Sequence, residues 1–264
     1  LGTLRQVVTI ATWLVMGMFS EIQAETMKET TLNILSFNIL HGATTEGTFD
    51  LDRVAKVIID AKPDLVALQE VDFKTRRAQG YDLATELAQR TGMTSIFAKA
   101  MDHDGGEYGL ALLSRFSFET TRRIALPYTE GKEPRAALAA TLTLPGGPTL
   151  QFVGTHLDHE SNSERDAQAE ALLDAAADKS MPSLLAGDFN ATPGSSTLGI
   201  LGRHWTAAHE ENPPPTFPSD DPKIKIDYVM YAPAASWRVV ATEVLQDVVA
   251  SDHCAYLVTM ALRH

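Results

Sequence analysis

The chain has 264 residues, 44% of them hydrophobic and 21% charged, proportions that suit a globular protein with an ample core. Its net charge of −12 excludes a protein whose affinity rests on a broad basic surface, while leaving room for a nuclease with a local basic groove. The single cysteine, Cys254, excludes an internal disulfide.

The N-terminal segment reads as a targeting signal. Arg5 precedes the apolar run Val7 to Phe19, and Ser20-Glu21-Ile22-Gln23-Ala24 follows, with a small residue at the expected cut. A basic flank, a short apolar stretch and a small residue describe a secretory signal peptide, and the run is short for a membrane span. Residues 1–24 are therefore expected to direct export to the periplasm or the extracellular space. Nothing between the later motifs resembles a linker, so residues 25–264 are expected to form one domain.

Thr31 to Phe37 alternates and then runs apolar, as a first core strand does, and stops at Asn38. Asp50 to Ala61 carries apolar residues at helical spacing, with Asp50 as N-cap and Pro63 as terminator. Leu65 to Leu68 predicts a buried strand with Gln69-Glu70 at its end. Tyr81 to Arg90 predicts a second amphipathic helix, stopped near Gly92. Ser95 to Ala100 predicts a strand, residues 102–107 a polar loop, and Tyr108 to Arg115 another buried strand. Ile124 to Tyr128, Ala136 to Leu144 and Thr149 to Thr155 read as further strands, the last two joined by Pro145-Gly146-Gly147-Pro148. Ser161 and Glu164 fit a capping box for a helix running to about Lys179. Pro182 to Ala186 leads into Gly187-Asp188-Phe189-Asn190, residues 203–223 form a proline-rich loop, and Ile224 to Tyr231 predicts a strand carrying Asp227. Val239 to Val248 and Cys254 to Ala261 complete the strands. Strands that alternate with helices and also meander predict an α+β sandwich of two mixed sheets with helices outside.

The polar residues at strand ends are Asn38, Glu70, His156, Asp158, Asp188, Asn190, Asp227, Asp252 and His253. Carboxylate and amide oxygens suit a hard divalent cation, Mg²⁺ or else Mn²⁺ or Ca²⁺, rather than structural zinc. A histidine beside an acid serves as general base when a further carboxylate fixes its tautomer. Together they suit metal-assisted hydrolysis of a phosphate ester by activated water. Single residues also have plainer readings: Asn38 as a turn cap, Glu70 as a solvated edge charge, Arg135 as a buried ion-pair member. Asp227, flanked by Ile226 and Tyr228-Val229-Met230, is hardest to explain plainly, because an acid in an apolar strand is costly unless paired.

The chain resembles the endonuclease/exonuclease/phosphatase superfamily, on its deoxyribonuclease I-like and sphingomyelinase-like arm. The matching stretches are Ser36-Phe37-Asn38, Leu68-Gln69-Glu70-Val71, Gly109 to Arg115, Thr155-His156-Leu157, Gly187 to Asn190, Lys225 to Val229 and Ser251-Asp252-His253, in the family's order. The resemblance implies a four-layer α/β/β/α sandwich with its site at one edge of the two sheets. It implies that Glu70 binds Mg²⁺ with Asn38 and Asp252 near the metal, and that Asp188 and Asn190 orient water and phosphate. It further implies that His253, oriented by Asp227, is base or polariser and that His156 donates to a phosphate oxygen. Leu40 stands where the abasic-site endonucleases of the family place an acid. Arg135 and Tyr108 are candidates for substrate binding.

The expected function is an exported Mg²⁺-dependent phosphodiesterase acting on a small or lipid-derived phosphoester. A secreted nuclease is the alternative, and a binding module without turnover the third. No stable protein partner is inferred, and a monomer is the working expectation.

Overall fold

The computed structural model describes residues 28–209 and 212–264, so the predicted signal segment, residues 1–24, lies outside the described residues. The first strand, β1 (Glu29–Asn38), is buried on both faces: Ile34 enters one core, Leu35 and Phe37 another. That is why its sequence runs apolar instead of alternating to the end. After it come α1 (Leu51–Ala61), β2 (Leu65–Phe73), α2 (Leu83–Thr91), β3 (Thr94–His103), β4 (Gly106–Ser114), β5 (Thr120–Ala125), β6 (Ala136–Thr143) and β7 (Thr149–His156). The chain continues through α3 (Asn162–Ala176), β8 (Ser183–Asp188), α4 (Ser196–Leu201), β9 (Thr206–Ala207), β10 (Asp227–Ala232), β11 (Trp237–Leu245) and β12 (Ala255–Arg263).

The strands form two six-stranded mixed sheets, in the orders β11-β12-β1-β2-β4-β3 and β5-β6-β7-β8-β10-β9. Each sheet holds one parallel pair, β1–β2 and β7–β8. Leu110, Leu112, Leu184, Val229 and Val258 fill the layer between the sheets, where each fully buried aliphatic contributes about 1.5–3 kcal/mol. A second core packs α1 and α2 on the first sheet, and a third packs α3 and α4 on the second. The architecture is thus the four-layer α/β/β/α sandwich expected. Among the described residues, no helix is long and apolar enough to cross a membrane.

The helix signals act as their chemistry dictates. The Asp50 carboxylate accepts from Arg53 N at 3.0 Å and the Asp82 carboxylate from Thr85 N at 3.2 Å, each capping an orphan donor of the first turn. The Ser161 hydroxyl accepts from Glu164 N at 3.4 Å. The capping box stays half-formed, because the Glu164 carboxylate takes the Thr129 hydroxyl instead.

Several boundaries differ from the sequence reading. Residues 102–107 are the tip of a hairpin rather than a loop. Asp104 and Gly105 both adopt positive φ, at 45° and 83°, the pattern of a two-residue turn between twisted strands. The strand expected at 124–128 lies at β5 instead, ahead of Pro127. Helix α3 ends at Ala176, and α4 carries too short an apolar pattern to be read. Asp227 opens β10 rather than lying inside a strand.

Candidate active site

Both parallel pairs end at the same edge of the sandwich. Asn38 and Gln69 are the last register partners of β1–β2, and His156 and Asp188 close β7–β8. Asp188 is also paired across β8–β10 with Asp227, so His156, Asp188 and Asp227 stand in a row on three adjacent strands. The row is tight because of Gly187: a Cβ there would lie 2.1 Å from the Thr155 carbonyl oxygen. The loop between β11 and β12 is tied onto β1 by Ser251, whose hydroxyl donates to Asn38 O at 2.7 Å and accepts from His253 N at 3.1 Å. This hydroxyl delivers Asp252 and His253 to the edge.

A cavity of about 460 Å³ opens there, lined among others by Glu70, Tyr108, Arg135, His156, Asp188, Asn190, Asp252 and His253. His253 Nδ1 lies 3.1 Å from Asp227 Oδ2, and its Nε2 lies 3.6 Å from Asp188 Oδ2. Burial would lower this imidazole, but the charges of Asp227 and Asp188 overcome it and lift His253 to about 10. Burial pushes Asp188 up to about 7, with Asp227 adding to it and His253 opposing. Asp227 is itself held by Thr216, whose hydroxyl accepts from Asp227 N at 3.3 Å.

The Asn38 amide donates to Glu70 Oε1 at 3.1 Å and to Asp188 Oδ2 at 3.3 Å, bridging the two sheets. Its carbonyl oxygen accepts from Leu40 N at 3.1 Å, so Asn38 caps the turn and also stands among the candidate site residues. Glu70 is not at a strand end. β2 continues to Phe73, and Glu70 sits in a bulge between Gln69 and Val71 with φ 57°. The bulge re-aims the carboxylate into the cavity. Burial alone would raise Glu70, but His41 and Asn38 bring it down to about 2. His41, itself at φ 46°, stands 3.5 Å from Glu70.

On the other wall, Arg135 Nη1 lies 2.9 Å from His156 Nδ1, and Arg135 is ion-paired with Glu133 at 3.0 Å. Burial and the Arg135 charge drive His156 well below the ordinary histidine value, so it is neutral. The Asn190 amide donates to Leu157 O at 3.1 Å and stands 3.3 Å from His156 Nε2. Arg135 is thus an ion-pair member, as one reading had it, and it also lines the cavity. Tyr108 is buried against the same wall, its hydroxyl pushed well above 10 by burial and the Glu70 charge. Asp158 stays out of the cavity. Its carboxylate accepts from Glu160 N and Ser161 N at 2.9 and 2.7 Å, capping the turn into α3.

His41, Arg77, His103, Glu133, His159 and Phe217 also line the cavity and were not singled out from the sequence. Phe217 packs on His253 with ring centroids 4.8 Å apart. His41, three residues after Asn38, His159, three after His156, and Glu133, two before Arg135, carried a signal, and that signal was proximity in sequence.

The donor chemistry fits a divalent cation. Glu70 is ionised, and Asp252 is raised by burial and by the Glu70 charge, with His253 opposing; a cation would relieve this like-charge pressure. Oxygens or nitrogens of Asp188, Asp227 and His253 also converge within 4.8 Å. Their spacing is already explained by the imidazole, which is hydrogen-bonded to Asp227 and stands 3.6 Å from Asp188.

Residues 35–253 match the Endonuclease/Exonuclease/phosphatase family. The chain belongs to this family. No curated protein matches the sequence. Among solved structures, it is similar to an endonuclease/exonuclease/phosphatase from Beutenbergia cavernae DSM 12333, with 24% identity, TM-score 0.71, and coverage of 88% of this chain and 72% of that one. It is equally similar to a functionally unknown conserved protein from Enterococcus faecalis V583, with 24% identity, TM-score 0.73, and coverage of 88% and 100%. A mannosyl-6-phosphatase from Bacteroides thetaiotaomicron VPI-5482 shares 18% identity at TM-score 0.69 over 87% and 99%. At these identities the likeness is one of fold: the deoxyribonuclease I-like sandwich of the endonuclease/exonuclease/phosphatase family.

Proposed function

We propose that the protein is a divalent-metal-dependent phosphoester hydrolase acting on a small or lipid-derived phosphoester, with a diester as its preferred bond. The observation that carries this reading is His253, held between Asp227 and Asp188 in the wall of a cavity that Glu70 and Asp252 also line.

Two groups, both raised and to different levels, divide the acid–base work. His253, lifted to about 10, is an imidazolium at neutral pH and donates from Nε2 to a phosphoryl oxygen. Asp227 holds the opposite ring nitrogen and fixes the ring. Asp188, at about 7, is poised to take a proton from the attacking water. Water adds to phosphorus as the bond to the leaving oxygen breaks, and charge grows on the equatorial oxygens. The Asn190 amide and the neutral His156 stand beside Arg135, whose buried Nε has no hydrogen-bond partner among the described residues, to receive that charge. Asn38, Glu70 and Asp252 would hold Mg²⁺, or Mn²⁺ or Ca²⁺ in its place, which when bound supplies Lewis-acid charge to the phosphoryl group.

The acidic chain and a cavity walled by carboxylates and histidines favour a small ester over a nucleic acid. Export is part of the proposal and rests on the Val7–Phe19 run. The test is turnover of a chromogenic phosphodiester, a chromogenic phosphomonoester, a hexose 6-phosphate, sphingomyelin and plasmid DNA, with Mg²⁺ and with chelator, and with Asp188→Ala as control. The hexose phosphate is included because a structural neighbour is named a mannosyl-6-phosphatase. Metal-dependent cleavage of small or lipid esters, lost in the variant, is expected. Cleavage of DNA alone, or full activity in the variant, would overturn the reading.

A further inference from the structure

We propose that Lys225 is a positioning residue for the reaction: its buried ammonium supports the Asp227 carboxylate that orients His253. The inference rests on the catalytic reading of the Asp227–His253 pair.

Lys225 is 3% exposed, yet its Nζ has no hydrogen-bond partner among the described residues. The Nζ lies 2.9 Å from the ring centroid of Tyr256 on β12 and 5.4 Å from that of Tyr228 on β10. Burial lowers this ammonium, and the charge on Asp227 opposes the loss. The thiol of Cys254, the residue after His253, is the other titratable group beside it, and burial pushes that thiol up to about 11. The picture has a counterpart on the acid. Asp227 is fully buried, one oxygen faces His253, and Oδ1 has no hydrogen-bond partner among the described residues. Two buried polar atoms of opposite charge, two residues apart in sequence, thus both lack hydrogen bonds among the described residues.

Stability does not account for such a lysine. Burying an ammonium without an acceptor is costly, and an apolar side chain of similar length at this place is neutral or favourable for folding. Aromatic faces recover part of the cost. What the charge does supply is a field at the Asp227 carboxylate. At the edge of the sandwich, Asp188 and Asp227 put two carboxylates against the single imidazole of His253. A nearby buried cation offsets the surplus and leaves Asp227 free to hold the ring.

The test uses Lys225→Met and Lys225→Arg in the full chain, below pH 7. In Lys225→Met, kcat is expected to fall about tenfold or more with little change in KM, while the melting temperature holds or rises. Lys225→Arg is expected to recover most of kcat. The downfield proton resonance of His253 Nδ1–H, which needs no substrate, is expected to move in Lys225→Met and to return in Lys225→Arg. An unchanged kcat with an unmoved resonance would overturn the proposal, as would a loss of kcat matched by a loss of melting temperature. Failure of the function itself reads differently: the wild type would turn over no phosphoester while the resonance still responded to Lys225.

Discussion

Asp188 and Asp227 are register partners on antiparallel strands of one sheet, and both face a histidine brought in from the other. The asymmetry between them is what matters. Asp227 contacts Nδ1 directly at 3.1 Å, while Asp188 stands 3.6 Å from Nε2, on the cavity side. Asp227→Asn keeps the shape and removes the charge. Its kcat is expected to drop by about 10²-fold or more with KM within a few-fold, checked by steady-state kinetics beside far-UV circular dichroism. A drop under tenfold would mean that the ring needs no anion to hold it.

The same cluster sets a pH signature on stability. His253 rises from 6.5 to about 10 on folding, so its contribution is whole below pH 6.5 and fades as pH climbs through 10. Lys225, lowered from 10.5 to about 7, works with the opposite sign across that window. Replacing His253 by Gln removes the falling part, and with it the positive charge that holds Asp188 down. In chelator, the melting temperature of His253→Gln minus that of wild type is therefore expected to increase between pH 7 and 10. A constant difference would contradict the raised imidazole.

Glu70 tests the cation. Its carboxyl, lowered from 4.5 to about 2, stays ionised at any pH of use. Glu70→Gln keeps the Asn38 hydrogen bond available while removing the charge. The Mg²⁺ concentration for half-maximal activity should increase by about tenfold or more. Titration calorimetry with Mn²⁺ should report the same weakening without any substrate, and equal affinities would remove Glu70 from the ligand set.

Gly187 tests the packing behind the row of acids. A methyl group there cannot fit 2.1 Å from a backbone oxygen, and no side-chain movement relieves it. Gly187→Ala is expected to cost more than about 2 kcal/mol in urea denaturation. A cost near zero would show that β7 and β8 can part without harm.

Much of this site was legible because buried strands that end in acids and amides are chemically odd. Asn38, His156 and Asp188 announce themselves that way: each stops an apolar run, and each closes a strand at the shared edge. Glu70 was found for a reason only half right, since a bulge rather than a strand end turns it inward. Asp104-Gly105 was a visible turn signal hidden inside a polar stretch. Phe217 and His159 reach the cavity from loops whose paths no local periodicity records. Lys225 was read only as part of the strand and matching stretch that carry Asp227, and its meaning lies in Tyr256, which is distant in sequence and adjacent only once the sheets are stacked.

That stacking has a consequence for how the protein switches on. Asn38, Glu70, Asp252 and His253 belong to the first sheet or its loops, and His156, Asp188, Asn190 and Asp227 to the second. Neither half owns a complete set of reacting groups. An intermediate with one sheet formed, or with both formed but not yet docked, has the right strands and no chemistry. On the proposed reading, catalysis is a late reporter of assembly, and a phosphoester encountered by an unfinished molecule survives intact.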